Sequence, residues 1–269
     1  RYRKNLDLRQ HLLAAEPDDS FRVLDLSRSH QRLGDVLRML GEPDQALQSY
    51  RSGYQLLKGL LDRDPVNTEW RRDLAIVHEK IGRTLQPLGD LDSAQHHLET
   101  GLSILTELTE SEGSPGDLRF YLGVNRTSLA SVAMTQHRLQ PALRHAQEAL
   151  STLESLKEAT AGGADLRYES SRCLWLLGRI QKAKGNRLAA SESWHKAMEM
   201  LEPTARASSD VLLLDPWVRC LVSLQQTKAA RPVVNRLMTL GYRDAEFLGF
   251  LESSGFADQD LPGKASAEP

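Results

Sequence analysis

The chain of 269 residues has only two cysteines, Cys173 and Cys220. Two widely separated thiols cannot build a disulfide framework or a four-thiolate metal site, and both lie in apolar stretches, so they read as buried free thiols. Aromatic residues make up only 6% of the chain, and leucine and alanine fill much of the apolar 40%. That balance suits long helices better than a β-rich core. Charge of neither sign dominates: 34 Lys and Arg against 36 Asp and Glu leave a net charge of -2. The chain therefore carries no general electrostatic attraction for nucleic acid or an anionic membrane. No apolar run approaches the roughly 18 to 20 residues of a membrane span, nothing resembles a signal peptide, and a cytoplasmic location is expected. The HExxH, CxxC, GxSxG and P-loop signatures are all missing, so no catalytic residue, cofactor or metal is expected.

What the sequence does have is a period. LGDVLRMLGEPDQA from Leu33, IGRTLQPLGDLDSA from Ile81, LASVAMTQHRLQPA from Leu129 and LGRIQKAKGNRLAA from Leu177 follow one another at 48 residues. Gly34, Gly82, Ala130 and Gly178 share one register and Ala46, Ala94, Ala142 and Ala190 another. A shorter copy follows from Trp217, with Ala230 placed 40 residues after Ala190. Repetition on this scale marks stacked units that bury a continuous core between neighbours.

Each period reads as two antiparallel helices. Apolar positions such as Leu26, Leu33, Leu37 and Leu40 recur at helical spacing, predicting first helices over 20–40, 67–87, 116–135, 165–184 and 211–226. Second helices are predicted over 43–62, 91–110, 139–158, 187–202 and 230–240. Turns such as Gly41-Glu42-Pro43-Asp44 and Gly89-Asp90-Leu91 separate them, with glycine ending one helix and a polar residue starting the next. Residues 1–20 align with 49–68, placing Tyr2 on Tyr50 and Pro17 on Pro65. Residues 1–14 thus read as the second helix of a preceding repeat, and the chain as a portion of a longer protein. A short helix over 244–256 is expected to cap the last repeat, and 257–269, with little to bury, to form a flexible tail.

These positions resemble the tetratricopeptide repeat (TPR) family, whose unit pairs a Leu-Gly in its first helix with an Ala early in its second. The pattern falls on Leu33-Gly34 with Ala46, Ile81-Gly82 with Ala94, Leu129-Ala130 with Ala142 and Leu177-Gly178 with Ala190. The resemblance implies an all-α, right-handed TPR-like α-solenoid of stacked antiparallel helical hairpins. It spans residues 1–256 as a single domain, with repeats at 20–62, 67–110, 116–158, 165–202 and 211–240. The period is longer than the family's common 34 residues, and His30, His78, Arg126 and Leu174 stand where a bulky aromatic is often found. The long period and the Trp70-Arg71-Arg72-Asp73-Leu74-Ala75 junction look like arrays in large bacterial proteins, beside signalling or other effector domains.

The resemblance also implies a protein-binding groove lined by the first helices. Its residues carry over to Arg28, Gln31, Asp35 and Arg38; Glu79, Arg83 and Gln86; Thr127, Ser131 and Met134; and Arg172, Trp175, Arg179 and Lys182. This set holds six basic and two acidic residues despite the acidic total, which suits an acidic protein or peptide segment, in cis or in trans, with Trp175 as an apolar anchor. A self-associating scaffold is the alternative. The tryptophans other than Trp175 read as packing residues, His30 and His78 as packing or solvent-facing residues, and adjacent His96 and His97 point in different directions on a helix and make a poor metal pair.

Overall fold

The computed structural model describes residues 2–16, 18–110, 116–156, 163–206 and 208–256. Among these there are twelve α-helices, one 3-10 turn and no strand. The expected tail over 257–269 and parts of the second and third junctions lie outside the described residues. The chain divides into two compact units, Arg1–Val132 and Ala133–Pro269. The sequence period continues across that division without a break.

Unit 1 holds α1 (Tyr2–Ala15), the hairpin α2 (Ser20–Met39) with α3 (Pro43–Arg63), the hairpin α4 (Thr68–Leu85) with α5 (Leu91–Thr109), and most of α6 (Gly116–Thr135). A 3-10 turn, Gln86–Leu88, extends α4. Unit 2 holds the end of α6, then α7 (Leu139–Ser155), the hairpin α8 (Ala164–Ala183) with α9 (Arg187–Ala205), the hairpin α10 (Val211–Ser223) with α11 (Thr227–Thr239), and α12 (Ala245–Ser253). In α11 the helix starts three residues before the predicted 230. In α9 it runs three beyond the predicted 202.

Five helix starts are fixed by short polar side chains accepting otherwise unpaired backbone N–H groups. Asp19 caps α2, Asn67 caps α4 and Asp90 caps α5; Asp210 and Asp244 do the same for α10 and α12. Helix ends repeat one device. Gly41, Gly89 and Gly185 adopt left-handed backbone at φ 79°, 86° and 87°. The third and fifth turns keep this conformation without glycine, at His137 (φ 59°) and Gln225 (φ 62°). Their positions follow the sequence ruler of 48, then 40, so the turn geometry is imposed by the hairpin rather than by glycine alone.

In three of the hairpins the glycine of the first helix receives a large side chain from the second. A Cβ on Gly34 would lie 2.4 Å from the Tyr50 ring, one on Gly82 2.7 Å from Leu98 and one on Gly178 2.3 Å from Trp194. Ala46, Ala94, Ala142 and Ala190 are essentially fully buried. The recurring small positions are therefore close-approach positions, and they fix the spacing of the paired helices. In unit 1 the resulting core joins Leu37, Tyr50 and Leu57 to Ile81, Leu98 and Leu129. In unit 2, α12 closes the last hairpin by burying Phe247 and Leu251. Tyr242 donates to Asp215 Oδ2 at 2.6 Å, and Asp215 in turn ion-pairs with buried Arg219.

Candidate functional site

The polar residues expected along the groove differ in what holds them. In unit 1 they form a ladder between α2, α4 and α6. Arg28 Nε donates to Asp73 Oδ2 at 2.6 Å, Lys80 Nζ to Asp35 Oδ1 at 2.6 Å, Arg72 Nη1 to Asp117 Oδ2 at 2.8 Å and Gln86 Nε2 to Ser131 Oγ at 2.9 Å, and all four pairs are 45 residues apart. Forty-five is one period less about one helical turn, so each rung joins a side chain to its neighbour on the next first helix, one turn displaced.

Other expected groove residues are also engaged inside unit 1. Asp35 accepts a second hydrogen bond from Tyr50 Oη at 2.8 Å. Arg28 adds Glu69 at 2.8 Å, and the two carboxylates raise its pKa despite its burial. Glu79, itself buried, accepts from Ser128 Oγ at 2.6 Å. Thr127 turns inward to the Gly123 carbonyl, and Gln31 is buried. Arg38 and Arg83 are half-buried. The face the sequence reads as open and positive is thus, in unit 1, largely a set of contacts between repeats.

Unit 2 is different. Arg172 is buried against Glu169 at 2.8 Å, but Arg179 and Lys182, one turn apart on α8, make neither an ion pair nor a side-chain hydrogen bond among the described residues. They border a cavity of about 610 Å³ lined also by Met134, Trp194, Val222, Ser223 and Phe250. Arg179 lies 4.8 Å from the Trp175 ring centroid, and Lys182 6.0 Å from that of Trp194. Burial lowers the pKa of Arg179 and neighbouring Arg219 adds to this, while Glu246 opposes it. A guanidinium remains charged even so, which leaves a positive group half withdrawn from water and without a counter-charge in contact.

Trp175 is only 1% exposed. Its ring meets Phe250 edge-on at 5.2 Å, Arg219 approaches its face at 4.7 Å, and its Nε1 donates to Ser223 Oγ at 3.1 Å. It serves as the platform under Arg179, while the apolar lining of the cavity comes from Met134, Trp194, Val222 and Phe250. Sequence reasoning placed Met134, Arg179 and Lys182 here and missed the contributions of α10 and α12, which the shortened last repeat conceals. Among the described residues no three His, Cys, Asp or Glu side chains are grouped to hold a metal ion. No described helix is long and apolar enough to cross a membrane.

No protein-family model matches the sequence, and no curated relative matches it. Among solved structures, BtubC (BKLC) from P. vanneervenii is similar at 14% identity and a TM-score of 0.57, over 100% of this chain and 94% of that one. A putative kinesin light chain with nearly identical TPR-like repeats from Podosopora anserina matches at 14% identity and a TM-score of 0.47, over 79% of this chain and 93% of that one. A thermophilic TPR protein of Thermus thermophilus, TTC0263, matches at 17% identity and a TM-score of 0.44, over 86% of this chain and 100% of that one. The first of these likenesses joins the repeating hairpins and their close-approach positions in showing a TPR-like helical solenoid fold.

Proposed function

We propose that this TPR-like chain is a noncatalytic interaction module that captures an acidic protein segment on the α8 face of unit 2. The observation that carries this reading is the pair Arg179 and Lys182, two cations bordering a partly apolar cavity with no carboxylate in contact. Arg28 and Arg172, which the sequence pattern assigns to the same groove, are internally neutralised. A ligand carboxylate would complete what the fold leaves incomplete, because Arg179 is preorganised by stacking on Trp175 and can offer two parallel donors. An adjacent apolar side chain of the ligand would lie against Trp194, Met134 and Val222. The segment comes from another protein or from a further part of the same polypeptide, and a role as the sensing module of a larger bacterial signalling protein fits this arrangement.

The test is a fluorescence-polarisation screen of acidic peptides against the purified chain. Arg179→Glu with Lys182→Glu should weaken binding at least about tenfold, or about 1.4 kcal/mol, and leave the helical circular dichroism unchanged. Unchanged affinity, with a footprint on α7 or α9, would remove this site from consideration. A self-association reading has one observation in its favour: Phe21 and Val66, also 45 residues apart, are 75% and 78% exposed in unit 1. Light scattering that gives a concentration-independent monomer mass would dismiss it.

A further inference from the structure

His78 of α4 and His97 of α5 meet within the second hairpin of unit 1, Nδ1 to Nδ1 at 2.9 Å. Their ring centroids are 5.0 Å apart and the planes are inclined by 44°. A centroid separation that large for nitrogens that close means that the two Nδ1 atoms point nearly at one another. A metal held by both would require the lone pairs to converge on a third point, which at a tetrahedral zinc sets the two nitrogens about 3.3 Å apart rather than pointing at one another. Head-on geometry instead needs one hydrogen between the two nitrogens, with one ring donating and the other accepting.

His78 is 6% exposed, and Tyr54 of α3 packs edge-on against it at 5.4 Å. The charged and titratable groups around the pair are Arg51 and Lys58 of α3, the latter over the Tyr54 ring, and His96 and the capping residue Asp90 on the α5 side. Neither imidazole of the pair makes an ion pair among the described residues. The setting is apolar and cationic, and it discourages accumulation of positive charge.

We propose that His78 and His97 form an acid-released latch between α4 and α5, closed while they share one N–H···N bond and opened when both rings are protonated. The proton count follows from the geometry. In the closed neutral pair, the donor ring keeps a vacant Nε2. A first proton taken up there leaves the N–H···N bond intact. A second has to occupy the accepting Nδ1, which sets two N–H groups and two charges against each other across the same short gap. The two rings therefore titrate as a coupled unit rather than as two ordinary histidines.

Burial, reinforced by His97 and His96, pushes the His78 pKa down to about 4, and burial followed by His96 and Arg51 also lowers that of His97. The sign follows: a folded-state pKa below the ordinary 6.5 means that the unfolded chain binds more protons between pH 4 and 6.5. Stability is complete above that window and declines as the pH falls through it. Beside the latch, Glu79 bonds Ser128 of α6, so release occurs next to the contacts that hold the inner helices.

Imidazole ¹⁵N spectra of the whole chain, recorded from pH 7.5 to 4, test this directly. One Nδ1 of the pair should be protonated and the other not at neutral pH, with two coupled steps of which the second lies well below 6.5. Amide exchange in α4 and α5, corrected for chemical rates, should accelerate at least about tenfold between pH 6.5 and 4.5, the change in protonation ratio that one pH unit already brings. His97→Gln, which can still bond to His78 but does not titrate, should reduce that response, and His96→Gln, which removes only a neighbouring group, should reduce it less. Two independent titrations near 6.5 with both Nδ1 atoms unprotonated would overturn the latch. So would an acid response of His97→Gln equal to that of the wild type, or Zn²⁺ raising the melting temperature through these two rings.

Discussion

At the residue scale, the most instructive positions are equivalents that differ between repeats. Ser29, Val77, Asn125 and Cys173 occupy one register, and all four are buried. Val77 needs no partner, Ser29 donates to the Asp25 carbonyl and Cys173 donates to that of Ala146. Asn125 is fully buried with neither amide atom hydrogen-bonded. Replacing Asn125 by Val removes an unsatisfied group from a slot that accepts valine one repeat earlier. It should stabilise the protein by about 1–2 kcal/mol, read as a higher urea midpoint at constant slope. The opposite outcome is expected at Gly34, where a Cβ would strike a Tyr50 ring that is fully buried and anchored through its hydroxyl to Asp35. Gly34→Ala should cost about 2–3 kcal/mol in the same assay because neither ring nor helix has room to retreat.

At the element scale, the hairpin turn is the unit that repeats most faithfully. Glu42, Arg138, Asn186 and Gln226 each donate their backbone N–H to the carbonyl five residues earlier, at 2.8 to 2.9 Å. Such a closure places the preceding residue in left-handed backbone, which glycine tolerates and histidine does not favour. His137→Gly should therefore stabilise the α6–α7 turn by about 1 kcal/mol. Thermal unfolding followed by circular dichroism checks this, and a melting temperature that fell would show that the His137 side chain contributes more than its backbone costs. Helices themselves are set by apolar spacing and caps. Their lateral arrangement is set by the close contacts at Gly34, Gly82 and Gly178.

At the scale of the whole molecule, charge balance hides local imbalance. A net charge of -2 gives no reason to expect an anion-binding surface, yet α8 of unit 2 presents Arg179 and Lys182 at a cavity with no carboxylate in contact. A protein segment bound there should show an affinity that falls as salt rises, and the double charge reversal should flatten that dependence as well as weaken binding. Isothermal titration at several ionic strengths separates the two effects. An affinity indifferent to salt would point to the apolar lining alone as the recognition element.

The sequence by itself determined the helical hairpins, their period, the turn positions and the small residues at helix contacts. These are legible because each depends on local periodicity or on backbone conformation, and the repeats state the same solution several times. Tertiary structure alone decided which charges remain available. Arg28 and Arg179 are both assigned to the groove by the sequence pattern, but whether a carboxylate meets them depends on the axial displacement between successive first helices, a quantity no single helix encodes. The same displacement brings Lys80 to Asp35 and Asp73 to Arg28. Trp175 illustrates the point from the apolar side: the sequence pattern assigns it to the groove, and the packing of Phe250 and Arg219 buries it. The pairing of His78 with His97 was invisible for a related reason. Each histidine is ordinary on its own helix, and their meeting is fixed by how closely Gly82 allows α4 and α5 to approach.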